Sequence, residues 1–200
     1  MMLKLYHAPR TRSARIYWLL EELGLPYELD TIAFVPPLTA FSQRTPVGKV
    51  PVLVDGEVTI CESGAIVEYV IERHGNGRLA PPPTSPLRGL YLQWIHFAEA
   101  TLMAPLGHMA FEMLWKPEAE RIPAVIDEAR TRAESTLDVV EQALVGKDYL
   151  LGSDFSGADV MMGYTIQVAR WMGVLDERHP NLTAYLKRIR ERPAFRKAIE

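Results

Sequence analysis

Gly48-Lys49-Val50-Pro51-Val52-Leu53-Val54-Asp55-Gly56-Glu57-Val58-Thr59-Ile60-Cys61-Glu62-Ser63-Gly64-Ala65-Ile66 is the stretch whose reading decides the fold. Val52-Leu53-Val54 and Val58-Thr59-Ile60 are strand-forming runs rich in β-branched residues, and Asp55-Gly56 lies between them as a hairpin signal. Pro51 has no N–H to give to a ladder, so it suits the first residue or the edge of a strand. At the other end the second strand stops at Cys61-Glu62, and Ser63 opens a helix. Ile66, Val67, Val70 and Ile71 give that helix one apolar face. A proline-led hairpin feeding a helix is the nucleus of the reading.

Upstream, Leu3-Lys4-Leu5-Tyr6-His7 alternates like a strand, and Pro9 stops it. From Ser13 to Leu23, Ile16, Leu19, Leu20 and Leu23 form a helical stripe, with Arg15, Glu21 and Glu22 largely off it. Gly24 is a good helix terminator. Tyr27 to Ala33 alternates again, and a short helix is expected in the irregular stretch from Phe34 to Lys49. Residues 1–76 therefore read β-α-β-α-β-β-α. The Gly/Pro-dense residues 77–86 sustain neither helix nor central strand and read as a linker.

Residues 87–200 read as an all-helical domain. Leu87 to Leu114 forms one long helix, bent near Pro105. Ala129, Ala133, Leu137, Val140 and Leu144 put a stripe on another, with Pro123 near its start. Ser156-Gly157-Ala158-Asp159 is a capping-box pattern with Asp in the usual Glu place. It precedes a helix that is apolar almost all round, whose first N–H groups must find side-chain oxygens because water cannot reach them. Val160 to Leu175 is interrupted by Gln167 and Arg170, so it reads as a buried helix rather than a membrane span.

The 200 residues are 48% hydrophobic and 24% charged, which disfavours a disordered or collagen-like chain. A net charge of −3 gives no general field toward nucleic acid or an anionic membrane. With Cys61 the single cysteine, no intrachain disulfide or cysteine metal cluster forms, and a reducing, cytoplasmic setting fits. The N-terminus does not resemble a signal peptide. His7, His74, His96, His108 and His179 contain no i, i+4 pair, so no metal is expected. No Walker loop, dinucleotide fingerprint or G-x-S-x-G elbow is present.

Three features converge: the turn Ala8-Pro9-Arg10-Thr11-Arg12-Ser13 into a helix, the Val50-Pro51 pair before a strand, and Cys61-Glu62-Ser63-Gly64-Ala65-Ile66. With the element order and the helical second half, the chain resembles the cytosolic glutathione transferase family over nearly its whole length. Asp159 resembles that family's folding signature in the helical domain. Arg12 to Gly24 looks most like bacterial and fungal members. The implied fold class is α+β in two domains, a thioredoxin-like β-α-β-α-β-β-α domain followed by an all-α helical bundle.

The resemblance implies glutathione as co-substrate and a small, apolar electrophile as second substrate. It also implies a homodimer, with no nucleic acid or membrane partner. If the family's cis bond at Pro51 carries over, the N–H and C=O of Val50 pair with the tripeptide laid alongside as an extra strand. Ser63 at a helix N-terminus favours an anion. Glu62 faces the ammonium of the γ-glutamyl end, and Lys49 meets the glycine carboxylate. Ser13 and Thr11 are alternative hydroxyl donors to the sulfur, with Arg12 beside them; relatives with a nucleophilic cysteine would have it at Arg12. Tyr6 reads as strand core, and His7 occupies the neighbouring slot. Met103, His108, Met109, Glu112 and Trp115 are candidates for the second-substrate pocket. Peroxidase activity is a close variant, and a non-catalytic binding or regulatory module on the same fold is the alternative.

Overall fold

The computed structural model describes residues 2–32 and 48–199. The short helix expected between Phe34 and Lys49 falls on residues 33–47, outside the described residues. The chain forms two compact units, Met1–Pro82 with Arg190–Glu200, and Pro83–Ile189.

In the first unit the elements are β1 (Leu3–His7), α1 (Ser13–Leu23), β2 (Tyr27–Thr31), β3 (Val52–Asp55), β4 (Val58–Cys61) and α2 (Ser63–His74). The sheet runs β2-β1-β3-β4, with β1 parallel to β2 and antiparallel to β3, and β3 antiparallel to β4. Asp55-Gly56 closes the β3–β4 hairpin, with Gly56 at a φ of 61°. Leu5 and Leu53 of the sheet are fully buried, as are Ile16, Leu19 and Leu20 of α1 and Ile66, Val67 and Val70 of α2. Helix α1 ends on Gly24 at a φ of 62°, a left-handed cap that glycine adopts without steric cost. Arg78 then ties two helix ends together, donating from Nη2 to the Leu23 carbonyl at 3.0 Å and from Nε to the Gly75 carbonyl at 3.1 Å.

Residues 190–200 complete this unit through α8 (Pro193–Ile199). Its Phe195 meets Trp18 of α1 edge-on, with ring centroids 4.8 Å apart. Arg192 donates to both oxygens of Glu22 at 2.6 and 2.8 Å, and Lys197 donates to Glu21 at 2.7 Å. The glutamates that lie off the apolar stripe of α1 thus bind a helix from the other end of the chain.

The second unit holds α3 (Arg88–His96), α4 (Met103–Ala110), α5 (Pro123–Ala143) and α6 (Gly157–Trp171), and α7 (Pro180–Glu191) follows. The expected long helix over 87–114 is a continuous helical path broken by two wider π turns, Phe97–Leu102 and Phe111–Trp115. Pro105 cannot donate to the ladder, and the first π turn lies just ahead of it. Pro123 is the first residue of α5, and the stripe Ala129, Ala133, Leu137, Val140 and Leu144 is buried. The capping box of α6 forms: Ser156 and Asp159 satisfy each other's backbone N–H groups. Fully buried Asp159 also accepts from the Leu150 N–H at 2.9 Å and the Tyr185 hydroxyl at 3.1 Å. Among the described residues no helix is long and apolar enough to cross a membrane.

Candidate active site

The register gathers the candidate residues at one end of the sheet. Tyr6 pairs with Val52 and Val52 pairs with Cys61. The end of β1 (His7, Ala8), the entry to β3 (Val50, Pro51) and the exit from β4 (Glu62, Ser63) are therefore neighbours. Helices α1 and α2 both begin at this end, so two helix N-termini with their orphan N–H groups share it. The Val50–Pro51 bond is cis. Lys49 is exposed, Val50 half-buried and Pro51 buried.

Glu62 occupies φ 71° and ψ 110°, a backbone region that residues with a Cβ seldom adopt and that clusters at functional sites. Its side chain is exposed, whereas Ser63 is buried at the first turn of α2. Ser63 Oγ accepts from Arg15 Nη1 at 2.8 Å. Arg15, expected off the apolar stripe of α1, is fully buried instead. Its position four residues before Leu19 was the available signal, because i and i+4 share a face. The guanidinium links the starts of α1 and α2 and adds positive charge beneath the Glu62–Ser63 corner.

The turn before α1 holds a compact hydroxyl cluster. Ser13 is fully buried, and its Oγ lies 2.8 Å from His7 Nδ1, 2.7 Å from Thr11 Oγ1 and 3.1 Å from the Ala8 carbonyl. It also accepts from the Ala8 N–H at 3.1 Å. Thr11 is half-buried and donates to the Ala8 carbonyl at 2.7 Å. Arg12 is exposed at the N-cap of α1, after Arg10 at a φ of 58°. Of the two hydroxyls, Thr11 has surface to offer a ligand and Ser13 does not. Burial pushes the His7 imidazole down to about 4, so the ring is neutral near pH 7. His7 packs edge-on against Tyr17, with centroids 5.4 Å apart.

The second-substrate candidates all lie in the helical unit. Met103 and Met109 are buried in its core. Glu112 is buried and tethers the following loop, accepting from Lys116 Nζ at 2.6 Å and from the Ile122 N–H at 3.0 Å. Those two bonds hold its carboxyl below the usual range. His108 and Trp115 are exposed. Among the described residues no group of His, Cys, Asp and Glu stands together as a metal site.

A thioredoxin-like four-stranded sheet with a cis-proline at the entry to β3, followed by a helical unit, points to one class of two-domain proteins, and the comparisons agree with it. Residues 1–72 match the family description "Glutathione S-transferase, N-terminal domain", and residues 123–188 match "Glutathione S-transferase, C-terminal domain". The chain is 31% identical to Glutathione S-transferase 4 of Zea mays, covering 90% of this chain and 84% of that protein. It is 29% identical to Glutathione S-transferase 3 of Schizosaccharomyces pombe, covering 100% and 87%. A glutathione transferase from Phanerochaete chrysosporium, solved in complex with oxidized glutathione, superposes with a TM-score of 0.85. It is 25% identical, covering 98% of this chain and 94% of that one. The chain belongs to the glutathione S-transferase family.

Proposed function

We propose that this protein is a glutathione transferase that holds the tripeptide's thiol as thiolate and directs it at an electrophilic carbon of a small, apolar substrate. The observation that carries this reading is the meeting at one sheet end of the cis Val50–Pro51 bond at the entry to β3, the Glu62–Ser63 helix start and the Thr11–Ser13 hydroxyls. A γ-glutamyl end carries an ammonium and a carboxylate on one carbon. Exposed Glu62 complements the first and the α2 N-terminus at Ser63 the second. The main chain of Val50 pairs with the tripeptide backbone, and Lys49 meets the glycine carboxylate.

A free thiol has a pKa of about 8.5, so it is mostly protonated at neutral pH. Lowering it by about two units requires roughly 2.7 kcal/mol of preference for the thiolate. A hydroxyl donor and the α1 N-terminus are of the right size to supply that. Thr11 is the donor this geometry favours, with Arg12 adding positive charge nearby. The thiol proton leaves to water, sulfur forms the new bond to carbon, and the leaving group departs with its electron pair. Exposed His108 and Trp115 are the second-substrate candidates that remain accessible on their own unit. The functional form is a homodimer, which light scattering at micromolar concentration tests.

Calorimetry with glutathione, followed by conjugation to an aryl halide, tests the activity. Binding with turnover is the expected result. Binding without turnover across several electrophile classes assigns the chain to the non-catalytic module instead, and turnover only with organic hydroperoxides assigns it to the peroxidase variant. No heat with millimolar tripeptide overturns the reading.

A further inference from the structure

We infer that His7, acting through Ser13, is a positioning residue that sets the direction of the Thr11 hydroxyl. The inference rests on the reading of Thr11 as donor to the glutathione sulfur. Four atoms stand in series: His7 Nδ1 is 2.8 Å from Ser13 Oγ, which is 2.7 Å from Thr11 Oγ1, which is 2.7 Å from the Ala8 carbonyl. Such a chain has two directions. If His7 carries its hydrogen on Nδ1, it donates to Ser13, Ser13 donates to Thr11, and Thr11 donates outward to the Ala8 carbonyl. If the hydrogen is on Nε2, Nδ1 accepts from Ser13, Ser13 accepts from Thr11, and the Thr11 hydrogen points inward.

Both directions saturate Ser13, which also accepts the Ala8 N–H at 3.1 Å. They differ in what a ligand finds. In both, Thr11 Oγ1 accepts the Ser13 N–H at 3.3 Å; only in the first does it also accept from the Ser13 hydroxyl, leaving its own hydrogen to turn from the Ala8 carbonyl to a sulfur anion. Accepting a bond from Ser13 polarises the Thr11 O–H and strengthens its donation. No proton changes heavy atom along the chain; the last hydrogen only turns. The geometry favours the first direction, because Thr11 reaches the Ala8 carbonyl at 2.7 Å while Ser13 lies at a longer 3.1 Å from the same oxygen. A fully buried Ser13 and a nearly buried His7 also exclude water that would otherwise reorient the hydroxyls. The neutral ring leaves tautomer choice as the one variable.

The test is the ultraviolet titration of bound glutathione thiolate in His7→Phe, His7→Asn, Ser13→Ala and Thr11→Val. His7→Phe keeps a ring but removes Nδ1, and Ser13→Ala cuts the chain by removing one oxygen. Both should raise the apparent pKa of the bound thiol by about 0.5 to 1 unit, a three- to tenfold loss of thiolate on the acid side. The double variant should add little further, as expected of members of one chain. His7→Asn, whose amide supplies an N–H near the position of Nδ1, should restore most of the shift, a rescue that a merely space-filling role would not give. Nitrogen-15 spectra of the wild-type imidazole should place its hydrogen on Nδ1, a readout that holds even if a variant fails to fold. The inference is overturned if the hydrogen sits on Nε2. It is also overturned if Thr11→Val moves the titration while His7→Phe and Ser13→Ala leave it in place. If Thr11→Val moves nothing although glutathione binds, the Thr11 assignment fails first and takes this inference with it.

Discussion

Replacing Asp159 by alanine removes the acceptor shared by four donors. Its Oδ1 takes the Leu150 N–H at 2.9 Å and the Tyr185 hydroxyl at 3.1 Å, and its Oδ2 takes the Ser156 N–H and hydroxyl, both at 2.9 Å. The Ser156 hydroxyl can rotate, and Tyr185 Oη keeps the Asp159 carbonyl, 3.4 Å away. The two backbone N–H groups have no such recourse, because Leu150, Ser156 and Asp159 are all buried. Each stranded donor costs about 1–3 kcal/mol, giving roughly 2–6 kcal/mol in all. Against this stands relief from burying a carboxylate, since burial pushes the Asp159 carboxyl above its usual range. A net loss of about 3 kcal/mol follows, a large part of the roughly 5–15 kcal/mol that holds a domain together. Urea unfolding followed by far-ultraviolet circular dichroism should show a midpoint lowered by about 1–2 M. Asp159→Asn keeps the volume but turns an NH2 toward one of the donors, so it too should destabilise, by about 1–3 kcal/mol. If Asp159→Ala unfolds within about 0.2 M of the wild type, the accounting of buried donors is wrong.

His7 should give stability an acid limb. The unfolded ring takes its proton near 6.5, the folded ring only near 4, so stability is complete above the first value and falls as pH drops through the interval. The slope approaches about 1.4 kcal/mol per pH unit, and His7→Asn should remove it; an unchanged slope in unfolding free energy would contradict the burial argument. Glu141 of α5 caps α7 from a distance, accepting the Asn181 and Leu182 N–H groups at 2.9 and 2.8 Å. Glu141→Gln should lose about 1–2 kcal/mol and speed amide hydrogen exchange at those two residues, and unchanged exchange would show that the cap contributes nothing. Glu62→Gln should weaken glutathione binding about tenfold by calorimetry, the worth of one charge-assisted hydrogen bond, whereas Glu57→Gln at the hairpin turn should leave it alone.

Local chemistry was legible. The Asp55-Gly56 hairpin, the Gly24 stop, Pro123 at a helix start and the Ser156–Asp159 box each depend on residues within a few positions of one another, and each formed. The Val50-Pro51 and Glu62-Ser63 pairs could be tied together in advance because an antiparallel hairpin brings its two ends to one place. What was not legible depends on residues far apart in sequence. Arg15 is buried because Ser63 waits for it, and Glu141 caps a helix that begins 39 residues later at Pro180. The π turns at 97–102 and 111–115 change the period over only six and five residues, too short a span for an apolar stripe to reveal them. Ser13 looked like a donor to a ligand because it opens α1, but the Ala8 and His7 groups that surround it are what hide it.

The docking of α8 on α1 bears on how the chain comes together during synthesis. Residues 1–82 are made before residues 190–200, yet Trp18, Glu21 and Glu22 on their first helix take contacts from that later segment. The whole helical insert is made in the interval. The sheet can pair early, but the Trp18–Phe195 ring contact and the ion pairs of Glu21 and Glu22 with Lys197 and Arg192 wait for residues 190–200. A chain cut before Arg190 would lack all three contacts permanently.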